Sequence, residues 1–301
     1  MHAKQRRTRS IWCWLVVLPT TLFYAGFQLW PILSSFYYST LDWSGISSDK
    51  TFVGLQNFID LLHDQWFWNS FFNSFKYMLF SVPPLILLSL FLALLVNEKA
   101  LRARGAFRTL FFLPVITTAS IVGIIMQFIW SPTGAINALL ELFGAGRTIN
   151  FLGQAGTALP TVAVIGVWKD AGIYMIYWLS ALQSVPQDVT EAAQIDGANR
   201  WQIFSRITLP LILPIGSVIT LLAIINSLKV FDIVQTLTGG GPFFATDVMG
   251  TFVYRTAYES SVGMPRLGYA SAAAMLFGLT IIVIGIVLNF FKNRITRSRD
   301  V

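Results

Sequence analysis

The sequence predicts an all-α protein that crosses a membrane six times. Three observations carry this reading. Only 12% of the 301 residues are charged while 55% are hydrophobic, against roughly a quarter charged in an average soluble domain. The charge is missing in long runs rather than evenly, at 10–41, 77–97, 109–140, 148–168, 207–228 and 267–291. Each run can hold a spanning helix, which takes about 20 mostly apolar residues. Finally, the cations gather in short clusters beside these runs: Lys4, Arg6, Arg7 and Arg9; Lys99, Arg102, Arg104 and Arg108; Lys292, Arg294, Arg297 and Arg299. That is the positive-inside pattern, and it explains the net charge of +7 without nucleic acid.

The spans are expected near 11–35, 73–96, 107–130, 158–182, 208–228 and 268–291. The first follows basic residues, as in a secretory leader, but its apolar stretch from Ile11 to about Phe36 far exceeds an h-region of roughly 7–15 residues. It reads as an uncleaved span. Cys13, the single cysteine, lies in it, so no intrachain disulfide can form. The outer segment that follows is rich in aromatics (Trp43, Phe52, Phe58, Trp66, Trp68 and Phe72 among them), as an interfacial belt requires, and it reads as folded. In the fourth span Lys169 and Asp170 interrupt the apolar character. Dividing the helix there would leave no loop residues and would place the two basic tails on opposite sides, so one span carrying an internal pair is expected. With both termini cytoplasmic, 14 of the 21 Lys and Arg residues fall on the inner side.

The segment between the fourth and fifth spans is the most informative. Pro186 suits a first helical position, Asp188 complements the dipole in the first turn, and Gly197 suits a left-handed stop. A short helix is therefore expected from Pro186 to Asp196, and then a second with Trp201, Phe204 and Thr208 on one face. The first carries three acids (Asp188, Glu191 and Asp196) and no cation. A helix resting on anionic lipid needs the opposite charge, so this one suits the groove of a protein partner.

Glu191-Ala192-Ala193, Gly197 after three intervening residues, and Ile207-Thr208-Leu209-Pro210 after nine more resemble the EAA motif of ABC importer permeases. Val53-Gly54-Leu55-Gln56-Asn57-Phe58 and Phe231-Asp232 with Leu237-Thr238-Gly239-Gly240-Gly241-Pro242 are similar to the carbohydrate-uptake branch, the maltose and glycerol-3-phosphate type. The resemblance extends over nearly the whole chain, without the large inserted outer domain of the larger maltose subunit. It implies a type I ABC importer permease fold in the bacterial inner membrane. Residues 1–301 would form a single permease domain: 1–69 the first span and outer loop, 70–292 a core containing the coupling loop 184–210. It further implies a homologous second permease as heterodimer partner, an ABC ATPase dimer that hydrolyses the ATP, and an extracytoplasmic solute-binding protein delivering a sugar or sugar derivative. Glu191, Ala192, Ala193, Asp196 and Gly197 would be the ATPase-coupling residues.

No phosphate-binding loop, metal-ligand cluster or nucleophile elbow is visible, so the chain is expected to bind no cofactor and catalyse no reaction. The glycines at 239–241 read as a structural turn. A self-contained secondary transporter or channel, an integral-membrane enzyme, and a permease for a non-sugar solute stand as alternatives. For the substrate path, Asp170, Tyr174 and Tyr177 follow i, i+4, i+7 and share a helix face, and Asn226 lies in the fifth span. Ionisable groups at membrane depth are functional candidates, although Asp170 and Asn226 can equally serve helix packing.

Overall fold

The computed structural model describes residues 14–98, 102–144, 148–259 and 263–297, with side chains through Phe290. Cys13, Lys99, the N-terminal cations and Arg299 lie outside these, as do the side chains of Lys292, Arg294 and Arg297. The chain divides into two compact units, 1–64 with 253–276, and 65–252 with 277–301.

In the first unit, α1 (Trp14–Tyr38) is long and apolar enough to cross a membrane, and none of its central window is buried. Trp14, Phe23, Phe27, Trp30 and Phe36 are exposed, as befits a helix whose solvent is lipid. The expected folded outer segment is a two-strand ribbon, β1 (Leu41–Asp42) antiparallel to β2 (Thr51–Phe52), followed by α2 (Gln56–His63). Buried Asn57 ties the helix back by donating from Nδ2 to Ser39 O and Leu41 O, each at 2.9 Å.

The second unit is built on a central helix pair, α3 (Gln65–Asn97) and α7 (Ala155–Gln183). Both run longer than the expected spans. Helix α7 passes through Lys169–Asp170 without a break. At Gly166 it lies so close to α3 that a Cβ there would overlap the Tyr77 hydroxyl.

The third span differs from the expected single helix. It is α4 (Arg104–Ile116) and α5 (Ala119–Ile129), bent by 98°. Pro114 removes a backbone donor near the end of α4. Thr117 and Thr118 are both extended (ψ 135° and 144°), and the Thr118 side chain caps the new helix by accepting from Ile121 N. A short helix α6 (Ala135–Leu142) follows.

Beyond α7 comes α8 (Gln187–Ile195), then α9 (Arg200–Leu228). The separate second helix expected before the fifth span is instead continuous with it, through a π-helical turn at Phe204–Thr208. Pro210 has no N–H and its ring crowds the carbonyl four residues earlier; the widened turn relieves that conflict. After α9 come α10 (Asp232–Leu237), α11 (Met249–Tyr258) and the last span, α12 (Leu267–Arg297). The hydrophobic core lies between α3, α7 and α9, with Ala93, Met175 and Ile212 fully buried.

The candidate coupling elbow and membrane-depth cavity

Two features of the second unit concentrate polar chemistry. One is the elbow joining α7 to α9. Pro186 stands at the N-cap with extended backbone (ψ 130°) rather than at the first helical position, because its ring fixes φ but not ψ. Asp188 occupies the first turn. Glu191 Oε1 accepts from Gln187 Nε2 at 2.6 Å, one turn away on the same face.

The helix ends as the sequence requires. Asp196 is the C-cap and Gly197 follows at φ +82°. Gly197 N donates to Gln194 O at 3.1 Å and Ala198 N to Ala193 O at 2.9 Å, the paired bonds of a Schellman stop. Two residues on, Asn199 opens α9 with a capping box: Gln202 N donates to Asn199 Oδ1 at 2.9 Å, and Asn199 N to Gln202 Oε1 at 2.8 Å. Arg200 Nη1 meets Glu98 Oε2 at the end of α3, at 3.0 Å. That ion pair is exposed and orients more than it stabilises.

No residue of α8 is buried. Glu191, Ala192, Asp196 and Gly197 are exposed and Ala193 is half-buried. Trp201, expected on one face of the second helix, is 72% exposed, and so is Ile195 at 86%, an apolar group on the same elbow that sequence reading did not single out. A cavity of ≈630 Å³ lies beside the helix, bordered by Leu94, Glu98, Gln187, Glu191, Gln194 and Thr208. A helix so weakly attached to its own chain has a surface available to another.

The second feature is a cavity of ≈190 Å³ at the middle of α7, among Tyr77, Ser81, Gly166, Asp170, Tyr174 and Asn226. Helices α3, α7 and α9 each contribute. Asn226 Nδ2 donates to Tyr174 Oη at 3.1 Å, so the fifth span closes on the fourth through a neutral hydrogen bond. Lys169 Nζ lies 3.3 Å from Asp170 Oδ1. Three of the four residues expected on a substrate path thus meet at one cavity. Tyr177 does not border it; its ring packs edge-on against Tyr174, centroids 5.7 Å apart, one turn nearer the elbow. Tyr77 and Ser81 join the site without having been anticipated. They stand four residues apart on one face of α3, and Ser81 Oγ is buried with no hydrogen-bond partner.

At the opposite end of the unit from the elbow, a buried polar network fixes the 238–251 segment. Asp247, 1% exposed, accepts from Ser70 Oγ at 2.9 Å and Thr251 Oγ1 at 2.6 Å. Asn69 and Asn73 donate to Phe244 O at 2.8 and 3.2 Å, and Ser74 Oγ accepts from Met249 N at 2.9 Å. The glycine run is a turn, closed by Gly241 N to Thr238 O at 2.9 Å. A readable signal existed: the doublets Asn69-Ser70 and Asn73-Ser74 put four polar groups on adjacent turns of one apolar helix.

Residues 62–300 match the family described as binding-protein-dependent transport system inner membrane component. The chain belongs to that family. It is an inner-membrane permease component of a transport system, with five apolar helices of spanning length plus the bent pair among the described residues. The permease is 32% identical to the probable ABC transporter permease protein YurN of Bacillus subtilis, covering 93% of this chain and 96% of that one. It is 32% identical to AmyD of Thermoanaerobacterium thermosulfurigenes, a probable starch degradation products transport system permease, covering 97% and 96%. It is 34% identical to the sn-glycerol-3-phosphate transport system permease UgpA of Yersinia pestis, covering 93% and 92%. Among solved structures, a chain of a bacterial alginate ABC transporter in complex with an alginate pentasaccharide-bound periplasmic protein matches at TM-score 0.81 and 27% identity, over 97% of each chain. The elbow and the membrane-depth cavity both lie within the matched residues of this permease.

Proposed function

We propose that this chain forms one half of the translocation pathway of an ATP-binding-cassette importer, carrying a sugar or sugar derivative released by an extracytoplasmic binding protein. A homologous permease supplies the other half, and an ATPase dimer binds beneath the elbow and hydrolyses ATP; this chain holds neither nucleotide nor cofactor. The carrying observation is the exposed helix Gln187–Ile195, stopped by Gly197 at φ +82° and without a buried residue. Glu191, Ala192, Ala193, Asp196 and Gly197 are assigned to the ATPase contact. The small alanine side chains admit close approach of a partner groove, and the carboxylates supply charge.

Asp170, Tyr174, Tyr177 and Asn226 are assigned to the substrate path, together with Tyr77 and Ser81 at the cavity. Hydroxyls, an amide and aromatic faces suit a polyhydroxylated ring, which presents hydroxyl edges and weakly apolar faces. The carbohydrate assignment is supported by the names of the relatives, which include permeases for starch degradation products and for sn-glycerol 3-phosphate. In domain terms residues 1–301 act as one permease, 1–69 flanking a core at 70–292 that contains the coupling loop 184–210.

Purification through a tag on this chain tests the reading. An ATPase and a second permease should co-purify, and reconstituted vesicles should take up a sugar only with ATP and the binding protein. A stable chain that transports alone would make it a self-contained transporter, and uptake of a non-sugar solute alone would keep the importer but remove the carbohydrate.

A further inference from the structure

We propose that Asp170 makes the membrane-depth cavity selective for uncharged carbohydrate over acidic sugars and sugar phosphates, by cancelling the positive charge of Lys169. This rests on the carbohydrate reading above and narrows it. Likeness to known proteins leaves the charge of the cargo open: one relative is named for a phosphate ester, another for starch products, and the solved complex carries alginate, an acidic polysaccharide.

The cavity's own charges decide between them. Four charged side chains border it, two cations (Lys169 and Lys229) and two carboxylates (Asp170 and Asp232), and no arginine is among its described residues. Lys169 and Asp170 are paired at 3.3 Å on consecutive residues of a continuous helix, so the pair moves as one body. The carboxylate is its open member: its side chain is 47% exposed and that of Lys169 only 16%. An anion entering the cavity therefore meets Asp170 before Lys169. Recognition of a carboxylate or phosphate away from water demands a cation free to pair with it, most often a bidentate arginine.

Lys229 and Asp232 carry opposite charges and leave the cavity no net positive charge, and the rest of its polar lining is neutral. Ser81 Oγ is buried and without a partner. Tyr77 and Tyr174 bring phenolic hydroxyls, and the Asn226 amide is held by its bond to Tyr174 Oη at 3.1 Å. These groups can donate to and accept from hydroxyls, and none offsets a negative charge. Specificity of this kind rests on the repulsive element as much as on the attractive ones.

The test uses the complete transporter that purifies with this chain, without its binding protein so that no upstream discrimination intervenes. Equilibrium dialysis measures retention of labelled glucose, maltose and maltotriose as neutral probes and labelled glucuronate as the acidic one. The wild type should retain at least one neutral sugar and about tenfold less glucuronate, one unpaired charge being worth at least that at close range. Asp170→Asn frees the Lys169 ammonium and should raise the ratio of glucuronate to neutral sugar by about tenfold or more. Removing both charges in the double variant Lys169→Gln/Asp170→Asn should return the ratio to the wild-type level.

Wild-type transporter that holds glucuronate as well as a neutral sugar would overturn the charge filter while leaving the carbohydrate reading intact. So would an unchanged ratio in Asp170→Asn, or a ratio in the double variant as high as in the single one. Retention of no sugar of either charge by the wild type would overturn the carbohydrate reading and the filter with it.

Discussion

Gly197 offers the sharpest perturbation of the coupling elbow, because its backbone requirement can be separated from every side-chain contact. It stands at φ +82°, and a Cβ built there meets no atom within 4 Å. A series of substitutions therefore reads backbone conformation alone. Asparagine tolerates the left-handed region best among residues with a side chain. Alanine in that region costs roughly 1–2 kcal/mol, which disfavours the closed elbow by a factor of about 5–30. Proline cannot reach it, since its φ is locked near about −65°. It also loses the 3.1 Å bond from Gly197 N to Gln194 O. Its cost is roughly 3 kcal/mol or more, and α8, with no buried residue, has no packing to absorb it. The assay is sugar taken up per ATP hydrolysed in vesicles holding the complete transporter. Coupling should fall in the order Gly, Asn, Ala, Pro, with Gly197→Pro hydrolysing ATP without transport. Wild-type coupling in Gly197→Pro, or better coupling in Ala than in Asn, would refute the reasoning.

Other perturbations address the remaining parts. Glu191→Lys reverses an exposed charge and breaks the 2.6 Å bond from Gln187; sugar-stimulated ATPase activity should drop at least about tenfold, a loss of about 1.4 kcal/mol at the contact, while thermal unfolding of the isolated chain shifts little. Tyr174→Phe removes the acceptor for Asn226 Nδ2 and should weaken sugar retention about fivefold, the worth of one neutral hydrogen bond of about 1 kcal/mol; an unchanged affinity would take Tyr174 off the path. Asp247→Ala removes the carboxylate that accepts from Ser70 and Thr251, leaving their hydroxyls only Trp66 O and Val248 O as acceptors, at roughly 1.5–3 kcal/mol per bond to a charged group; a detergent melting curve should move down by several degrees, and an unmoved one would show the 238–251 segment to be held by other means.

The parts of this architecture that were readable in the sequence are those fixed by local chemistry. Proline before an acidic helix and a glycine after it sufficed to place the elbow, since a left-handed stop depends on three or four consecutive residues. The continuity of α7 through Lys169 and Asp170 followed from charge counts in the loops. The bend between α4 and α5 was hidden because 109–130 carries no charge and hydropathy is blind to direction. Only the capping ability of Thr118 behind Pro114 marks the break. The continuity of α9 was missed for a related reason: Pro210 signals an interruption, and the chain answers with a wider turn instead of a stop. Tyr177 shares a helical face with Asp170 and Tyr174, yet a stripe of eight residues is longer than the cavity beside it. Ser81 and Tyr77 entered the site from another helix, and Asp247 found Ser70 across 177 positions. Such encounters are decided by packing, to which spacing along one segment gives no access.

The central claim is that helix Gln187–Ile195 delivers the work of a separate ATPase to the membrane helices. Cysteine labelling tests it most directly, with Ala192→Cys in a Cys13→Ser background and a membrane-impermeant maleimide. Position 192 should react in inside-out vesicles, stay unreactive in right-side-out ones, and lose its reactivity when the ATPase subunits are bound. Labelling from the outer side, or labelling that the bound ATPase leaves undiminished, would contradict the account.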